Sequence, residues 1–399
     1  MKIAHIWKDE YPWDVRVEKI SKALIDAGHE VHLICKNNGQ QKTEEKINGI
    51  HIHRLWPCRP FFLNHLVSVV AFFNPTWIYK IIQIANKTKI DVLLVRDLPL
   101  AITALWVGKY LNLPVIFDMA ENYPSMWREH VDKRGLKFIN HFVKNPTVAA
   151  IMENYAVRRV DHTIVVVEES QERIIKKGVP KNKLSIVSNT PDLALCNFTP
   201  TSPDPYADKF KLVYVGSING GRGLDTVIKA ISSIKKQIHN FHLIIAGDGE
   251  YLAELKKLSE NLGVKQDVSF LGWVDPKQVP PLIYHSDICT VPHVVTEFIN
   301  STIPNKIFDY MAYGKPLIVS DAKPLRRIVE EAGAGVIFRS GDADDFAVKT
   351  LQLQDKERRK LLGAAGLEAV KKKYNWQYDM KILNQIFVKI ANSSSGSMN

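Results

Sequence analysis

The sequence predicts an α/β protein built from two domains, each organised around a parallel sheet. Its 399 residues exceed what one hydrophobic core usually supports. Short apolar runs alternate with helical patterns along the whole chain, which is typical of parallel α/β units. The segment Ser188–Pro205 is rich in proline, serine and asparagine and is interpreted as a linker. We therefore expect one domain over residues 1–188 and a second over residues 206–373.

The apolar runs have the lengths expected of buried strands. In the first half they are Lys2–Trp7, Glu30–Cys35, Ile50–Leu55, Asp91–Val95, Val115–Asp118, His162–Val167 and Leu184–Val187. In the second half they are Lys211–Val215, Phe241–Ala246, Val268–Leu271, Ile288–Val291, Pro316–Ser320 and Gly335–Phe338. In the first helical pattern Arg16 projects toward the apolar stripe. It either snorkels at the helix end or lines the ligand-binding edge of the first strand.

Composition narrows the class of function. The chain is 46% apolar and 24% charged, as expected of a globular protein, and its formal charge of +11 attracts anions. No nucleic-acid-binding signature accompanies that charge, so nucleotides, phosphorylated substrates or acidic lipid are the expected partners. The four cysteines lack metal-ligand or disulfide spacing, and the N-terminus lacks a signal-peptide pattern, which favours a cytoplasmic location.

One segment without charged residues, Pro60–Tyr79, bears on membrane contact. Polar residues and a proline interrupt it, so it predicts an amphipathic or buried helix that could touch a bilayer surface, and a transmembrane span is not favoured. The basic stretch His130–Pro146 supports the same peripheral contact with an anionic membrane.

A helix after the strand that ends near Pro292 is the strongest candidate for a binding site. Pro304 is expected to open it, and Asn305, Lys306 and Asp309 share one of its faces. The helix N-terminus and Lys306 would hold a diphosphate, while Asp309 could accept hydrogen bonds from sugar hydroxyls. The alternative is an ordinary exposed helix with a Lys–Asp pair.

Two glycine-rich turns follow strands in the second half. In VYVGSINGGRGLDTVIKAI, the backbone at Gly216, Ser217 and Gly221 could cradle phosphate beside Arg222, although such turns are often merely tight. The second set of candidate ligand-binding residues lies at the same sheet edge and comprises Gly247, Gly249, Trp273 and Val274. Backbone groups there could recognise a base, and core packing is the alternative.

The first half offers polar residues directly after two strands. They are Arg96, Asp97, Asp118, Glu121 and Asn122. One carboxylate among them could orient or deprotonate an acceptor hydroxyl, although helix caps also favour Asp and Asn. No cluster has metal-ligand spacing, so no metal is expected.

Together these motifs resemble the group 1 glycosyltransferases, glycosyltransferase family 4. That family has the GT-B fold, in which two Rossmann-like domains face each other across a deep cleft. The resemblance covers nearly the whole chain, including YPWDVRVEKISKALIDAGHEV, DMAENYP, VYVGSINGGRGLDTVIKAI, IIAGDGEYLAEL, FLGWV, SDICTVPH and IPNKIFDYMAYGKPLIVSD. KKYNWQYDMKILNQIF looks like the terminal helix that crosses back, which would join residues 376–391 to the first domain.

The resemblance implies transfer of a sugar from a nucleoside-diphosphate sugar, such as a UDP-sugar, to a saccharide or lipid-linked acceptor. The C-terminal domain would bind the donor and the N-terminal domain the acceptor, with retention of configuration and without a metal or other cofactor. Arg222 matches a basic residue that binds the donor diphosphate, and Asp309 matches the second carboxylate of the E-x7-E motif. The implied setting is synthesis of cell-surface polysaccharide or glycolipid at the inner face of the membrane.

Three positions depart from the family pattern. The first carboxylate of E-x7-E falls at Ser301, with Glu297 four residues earlier as a candidate replacement. The arginine usual after the first glycine is Ser217, so Lys306 is expected to supply that charge. The catalytic-loop histidine falls near Ala120. A catalytically weak nucleotide-sugar-binding or scaffold protein, and a GT-B-fold sugar-nucleotide epimerase, therefore stay as alternatives.

Overall fold

The computed structural model describes residues 1–395 except 13, 38, 40, 57–71, 135–143 and 196–202. Most of Pro60–Tyr79, much of His130–Pro146 and the middle of the Ser188–Pro205 linker lie outside the described residues. The chain forms two compact units, one comprising Met1–Ser188 with Asp379–Asn399 and the other comprising Asn189–Tyr378.

The first unit contains an eight-stranded sheet in the order β3-β4-β2-β1-β5-β6-β7-β8. Its strands are β1 Lys2–Ile6, β2 Glu30–Cys35, β3 Glu44–Ile47, β4 Ile50–Arg54, β5 Val92–Arg96, β6 Val115–Met119, β7 His162–Val165 and β8 Leu184–Ile186. Its helices are α1 Val15–Asp26, α2 Pro75–Thr88, α3 Leu98–Leu111, α4 Tyr123–Arg134, α5 Pro146–Arg159 and α6 Glu168–Lys176. Strands β1, β5 and β6 are buried along nearly their whole length, as parallel strands covered on both faces are.

The second unit contains a six-stranded, fully parallel sheet in the order β11-β10-β9-β12-β13-β14. Its strands are β9 Phe210–Val215, β10 Phe241–Ala246, β11 Val268–Gly272, β12 Ile288–Val291, β13 Leu317–Ser320 and β14 Gly335–Phe338. Its helices are α7 Leu224–Lys235, α8 Leu252–Asn261, α9 Val279–His285, α10 Lys306–Ala312, α11 Lys323–Ala332, α12 Ala343–Leu351 and α13 Lys356–Lys372. The last helix, α14, spans Trp376–Ser395.

The predicted α/β class is confirmed, and the predicted strands lie within about two residues of the observed ones. One strand was missed. Strand β3 pairs antiparallel with β4 at the sheet edge. The first sheet is therefore mixed, whereas a parallel sheet was predicted. The β3 sequence EEKI has a single apolar residue, because an edge strand beside water does not need the buried apolar run of an interior strand.

Candidate functional site

The loops that follow β9, β10 and β11 lie side by side at one edge of the second sheet. Gly216 N donates to Ala246 O at 2.9 Å, and Gly247 N donates to Gly272 O at 2.7 Å. Because all six strands are parallel, the loop after β12 emerges at this edge as well. This is the edge at which open α/β sheets bind ligands.

Arg222 is held at this edge by two side chains. It ends a short 3-10 turn over Gly220–Arg222, directly before α7. Its Nη2 donates to Ser217 Oγ at 3.0 Å, and its Nη1 lies 2.6 Å from His293 Nε2. His293 is completely buried just beyond the end of β12. Since a guanidinium only donates, His293 Nε2 accepts this hydrogen bond and the ring carries its proton on Nδ1.

The turn that carries Arg222 requires a glycine on its C-terminal side. Gly223 has φ +67°, and a Cβ at this position would lie 2.0 Å from Pro292 O. Val294 N donates to Gly221 O at 3.0 Å, which completes the contact between this turn and the segment after β12. Close packing of the two backbones therefore brings Arg222 to His293.

Lys306 reaches the same place from helix α10. Ile307, Phe308 and Met311 are buried, and the hydroxyl of Tyr310 accepts a hydrogen bond from Val215 N at 2.8 Å, which fixes the helix to the end of β9. Lys306 Nζ lies 3.8 Å from the centre of the Tyr214 ring. A Cβ on Gly216 would lie only 2.6 Å from that Nζ, so the ammonium group sits directly under the glycine turn.

The start of α10 differs from the prediction. The helix begins at Lys306 instead of Pro304, and the exposed Asn305 occupies its N-cap position without a side-chain capping bond. Lys306 and Asp309 are half-buried on the side opposite the core residues.

The electrostatics of this cluster favour an anionic ligand. Burial, followed by the charges of Lys306 and Arg222, lowers the pKa of His293 well below its usual value of 6.5. Burial and the charge of Arg222 also lower the pKa of Lys306 well below 10.5, although Asp309 opposes this. In the described part of the chain neither Arg222 nor Lys306 has a carboxylate within 4 Å. The two positively charged groups therefore converge around a neutral histidine, and Asp309 acts on Lys306 only from beyond salt-bridge distance.

Ser301, which stands where the E-x7-E motif has its first carboxylate, stabilises a turn. Ser301 Oγ donates to Glu297 O at 3.1 Å and to Phe298 O at 2.9 Å, which closes a short turn over Ile299–Ser301. Glu297 is exposed on that turn. Its assignment as a replacement carboxylate stays a prediction.

Packing between neighbouring loops explains some of the predicted glycines, and their role in ligand binding stays a prediction. A Cβ on Gly247 would lie 1.9 Å from Gly216 O, and one on Gly249 would lie 2.0 Å from Ile218 O. These two glycines thus allow the loops after β9 and β10 to pack against each other, which accounts for them without a ligand. The N–H of Gly221 is also engaged, since it donates to Asn219 Oδ1 at 3.1 Å.

Trp273 and Val274 lie at a separate pocket of the second unit. The pocket has a volume of about 460 Å³, and its lining also includes Tyr206, Leu271 and His285. Trp273 is 74% exposed, so a flat ligand has access to its ring. Base recognition by these residues stays a prediction.

In the first unit, Arg16 and Asp118 form a buried ion pair. Arg16 Nη2 lies 2.6 Å and Nε 2.9 Å from the two carboxylate oxygens, and Nη1 donates to Val187 O at 3.0 Å. Burial alone would raise the pKa of Asp118, but Arg16 lowers it overall. A fully buried carboxylate held ionised by arginine is a poor acceptor of a substrate proton. Among the carboxylates that could deprotonate the acceptor, Asp118 is therefore not favoured. Of the two alternatives for Arg16, snorkelling into solvent is wrong because the side chain is buried, and contact with the acceptor stays a prediction.

Asp97 is a better candidate for a functional carboxylate. It is buried as well, at 3% exposed, but its contact with Arg96 is looser than that of Asp118 with Arg16, at 3.8 Å between Nε and a carboxylate oxygen. Asp97 follows β5 with φ +67°, a positive value that is uncommon outside glycine. Burial raises the pKa of its carboxyl group, which interacts with the Tyr123 hydroxyl. The neighbouring Arg96 lies 3.1 Å from Asp14 and 4.8 Å from the centre of the Trp7 ring.

The two remaining candidates of the first unit lie between β6 and α4. Asn122 is buried, and its Oδ1 accepts a hydrogen bond from Ser125 N in the first turn of α4. Its position is thus that of a helix cap. Glu121 is partly exposed beside it, and its role in acceptor binding stays a prediction.

The described residues contain neither a metal-ligand cluster nor a membrane-spanning helix. No three His, Cys, Asp or Glu side chains among them are grouped so that they could hold a metal ion. None of the described helices combines the length and apolar character needed to cross a bilayer.

Comparison with known proteins identifies the family to which both halves of the chain are similar. The sequence profile described as Glycosyl transferases group 1 matches residues 199–368, and that described as Glycosyl transferase 4-like domain matches residues 14–190. An uncharacterized glycosyltransferase of Methanocaldococcus jannaschii is 26% identical over 94% of this chain and 95% of its own length. The alpha-monoglucosyldiacylglycerol synthase of Streptococcus pneumoniae is 19% identical over 81% of this chain and 70% of its own.

Among solved structures, HepE of Anabaena in complex with UDP and glucose superposes with a TM-score of 0.70. It is 16% identical, and the match covers 98% of this chain and 100% of HepE. Fold, site and sequence together define a nucleotide-sugar-dependent glycosyltransferase with the GT-B fold. The chain belongs to the group 1 glycosyltransferases.

Proposed function

We propose that this enzyme transfers a sugar from a nucleoside-diphosphate sugar to a saccharide or lipid-linked acceptor, with the donor diphosphate held between Arg222 and Lys306. The observation that carries this proposal is the convergence of two cations lacking a carboxylate partner in the described residues, at the ligand-binding edge of the second sheet. Cations placed in this way bind phosphate by charge-assisted hydrogen bonds.

The chemistry follows from where charge develops. As the bond between the sugar and the diphosphate breaks, negative charge accumulates on the leaving phosphate. Arg222 and Lys306 stabilise that charge from fixed positions, Arg222 through its bonds to Ser217 and His293 and Lys306 through its contact with Tyr214. We propose that these cations take the part that a metal ion plays in other transferases, and that configuration at the sugar is retained.

The acceptor is assigned to the first unit. Asp97, with its raised pKa, is the carboxyl group there that we propose contacts the acceptor hydroxyl. Sequence similarity to a synthase named for a glucosyl diacylglycerol supports an acceptor in glycolipid or cell-surface polysaccharide synthesis. We propose that the enzyme meets such an acceptor at the cytoplasmic face of the membrane, with peripheral contact with anionic lipid.

Calorimetric titration with UDP, GDP, ADP and CDP in metal-free buffer tests the donor site. One nucleotide should bind clearly above the others, and Arg222→Ala should weaken it about tenfold to over a hundredfold, since a charge-assisted contact contributes about 1.5–3 kcal/mol. If no nucleotide bound, the assignment of the diphosphate site would be wrong.

A turnover assay with the donor so identified tests the assignment of Asp309. The variant Asp309→Asn should reduce turnover more than nucleotide affinity, because the proposed contact of Asp309 is with the sugar and not with the diphosphate. An equal loss of both would contradict that assignment. Donor binding without turnover on any acceptor would instead favour the non-catalytic alternative, and epimerised donor without acceptor would favour the epimerase.

A further inference from the structure

Helices α3 and α5 of the first unit present apolar side chains to solvent. On α3, Trp106 and Tyr110 stack with their ring centres 5.8 Å apart, and Tyr110 is 66% exposed. On α5, Val148, Ile151 and Tyr155 follow one another along a single exposed face, and Ile151 is 57% exposed. Neighbouring exposed apolar side chains of this kind indicate an interaction surface on a globular protein.

Basic side chains line a groove of about 1470 Å³ together with Trp106, Tyr110 and Tyr155. They are Lys109, Arg159, Lys183 and Lys389. In the described residues none of the four has a carboxylate within 4 Å; Arg159 lies over the Tyr155 ring at 3.8 Å and Lys389 donates to Asn182 O at 2.6 Å. The groove therefore keeps its positive charge available for a partner.

Acidic groups are scarce on the same surface. Helix α3 contains no Asp or Glu, and the single one in α5, Glu153, is buried against Arg173 and Lys177. Asp161 lines the groove, but one of its carboxylate oxygens accepts a hydrogen bond from Val115 N at 2.8 Å. Within the described residues, the surface thus combines basic side chains that lack a carboxylate within 4 Å with exposed aromatic and aliphatic side chains.

We propose that this surface, the α3–α5 face, docks onto an anionic phospholipid bilayer. The proposal rests on the membrane location given under Proposed function and assigns that contact to particular residues. Tryptophan and tyrosine suit the interface between headgroups and acyl chains, and basic residues are attracted to anionic lipid. The exposed Val148 and Ile151 favour a bilayer over a soluble anionic glycan as the partner. Burial of aliphatic side chains in hydrocarbon is favourable in free energy, whereas these side chains offer no flat surface on which a sugar could stack.

Co-sedimentation of the full chain with sucrose-loaded vesicles tests this assignment. Vesicles of phosphatidylcholine alone should bind weakly, and vesicles that also contain phosphatidylglycerol should bind strongly at low salt. The double variant Lys109→Gln/Lys183→Gln should lower that binding about 30-fold, and Trp106→Gln/Tyr110→Gln should lower it about tenfold or more. The matched control is Lys256→Gln/Lys257→Gln, which removes the same charge from α8 of the second unit and should bind like the parent.

The outcomes separate this surface from the proposed membrane location. If the parent bound no anionic vesicles, both would fail. If the parent bound but the α3–α5 variants bound equally well, only the surface would be wrong. Binding of heparin in place of vesicles, or a dimer lost in Trp106→Gln/Tyr110→Gln, would overturn the lipid assignment. Thermal unfolding and nucleotide titration of each variant show whether a loss of vesicle binding merely reflects misfolding.

Discussion

Replacing Lys306 with methionine is expected to move nucleotide affinity and stability in opposite directions. Methionine keeps an unbranched side chain that can lie on the Tyr214 ring, but it carries no charge. Loss of a charge-assisted contact to phosphate removes about 1.5–3 kcal/mol of binding free energy. Affinity for the nucleoside diphosphate should therefore fall about tenfold to over a hundredfold.

The ligand-free protein should at the same time become more stable. Burial and the charge of Arg222 lower the pKa of Lys306, which means that the folded protein holds this ammonium group at a cost. Each pKa unit of lowering corresponds to about 1.4 kcal/mol. Relief of only about 1 kcal/mol would raise the melting temperature by about 2–4 °C in a unit of this size.

Lys315 provides the matched control in the same unit. Burial lowers its pKa too, and it lies over the Tyr284 ring at 5.4 Å, but its Nζ donates to the carbonyl oxygens of Tyr284 and Ser286. Lys315→Met should therefore lower the melting temperature and leave nucleotide affinity unchanged. Calorimetric titration and thermal unfolding of both variants measure this. The reasoning is refuted if Lys306→Met binds nucleotide like the parent or is destabilised as Lys315→Met is.

Three further outcomes are expected. His293→Ala should weaken nucleotide binding about tenfold in calorimetric titration, since Arg222 loses a charge-assisted hydrogen bond of about 1.5 kcal/mol. His293→Gln should restore part of the lost affinity, because its amide oxygen can accept the hydrogen bond from Arg222. Asp118→Asn should lower the free energy of unfolding by about 3–5 kcal/mol in denaturant titration, because it leaves Arg16 buried without its partner; a cost under about 1 kcal/mol would contradict the buried pair. Burial lowers the pKa of His5 to about 3, so between pH 6.5 and 3 only the unfolded chain binds its proton. The free energy of unfolding should therefore decrease as the pH is lowered through this range. His5→Asn should reduce the slope of that free energy against pH, at pH 5, by about 1.3 kcal/mol per pH unit. An unchanged slope would rule this out.

Local sequence patterns predicted most of the fold because buried parallel strands leave continuous apolar runs. Strands β2, β10, β12 and β14 have the predicted bounds. The antiparallel edge strand β3 was missed because three of its four residues are charged. The start of α10 was also misplaced, since a proline is compatible with several positions before or within a first turn.

The candidate site was predictable only where chemistry and local pattern coincide. Arg222 and Lys306 each stand beside a glycine turn or a helix start, and the structure brings them to one sheet edge. His293 was missed as a site residue because a lone histidine after an apolar strand has no local signature, although its place after β12 at the ligand-binding edge was a usable signal. The partnership of Arg16 with Asp118 joins residues 102 positions apart, which no periodicity reveals.

The two cations without a carboxylate partner in the described residues affect the end of the reaction as well as its start. Once the sugar has departed, the free nucleoside diphosphate carries more negative charge than the donor did. Arg222 and Lys306 therefore attract the spent nucleotide more strongly than fresh substrate. We expect the released nucleotide to compete with the donor for the site, so the rate of transfer in the cell depends on how quickly other enzymes consume that nucleotide.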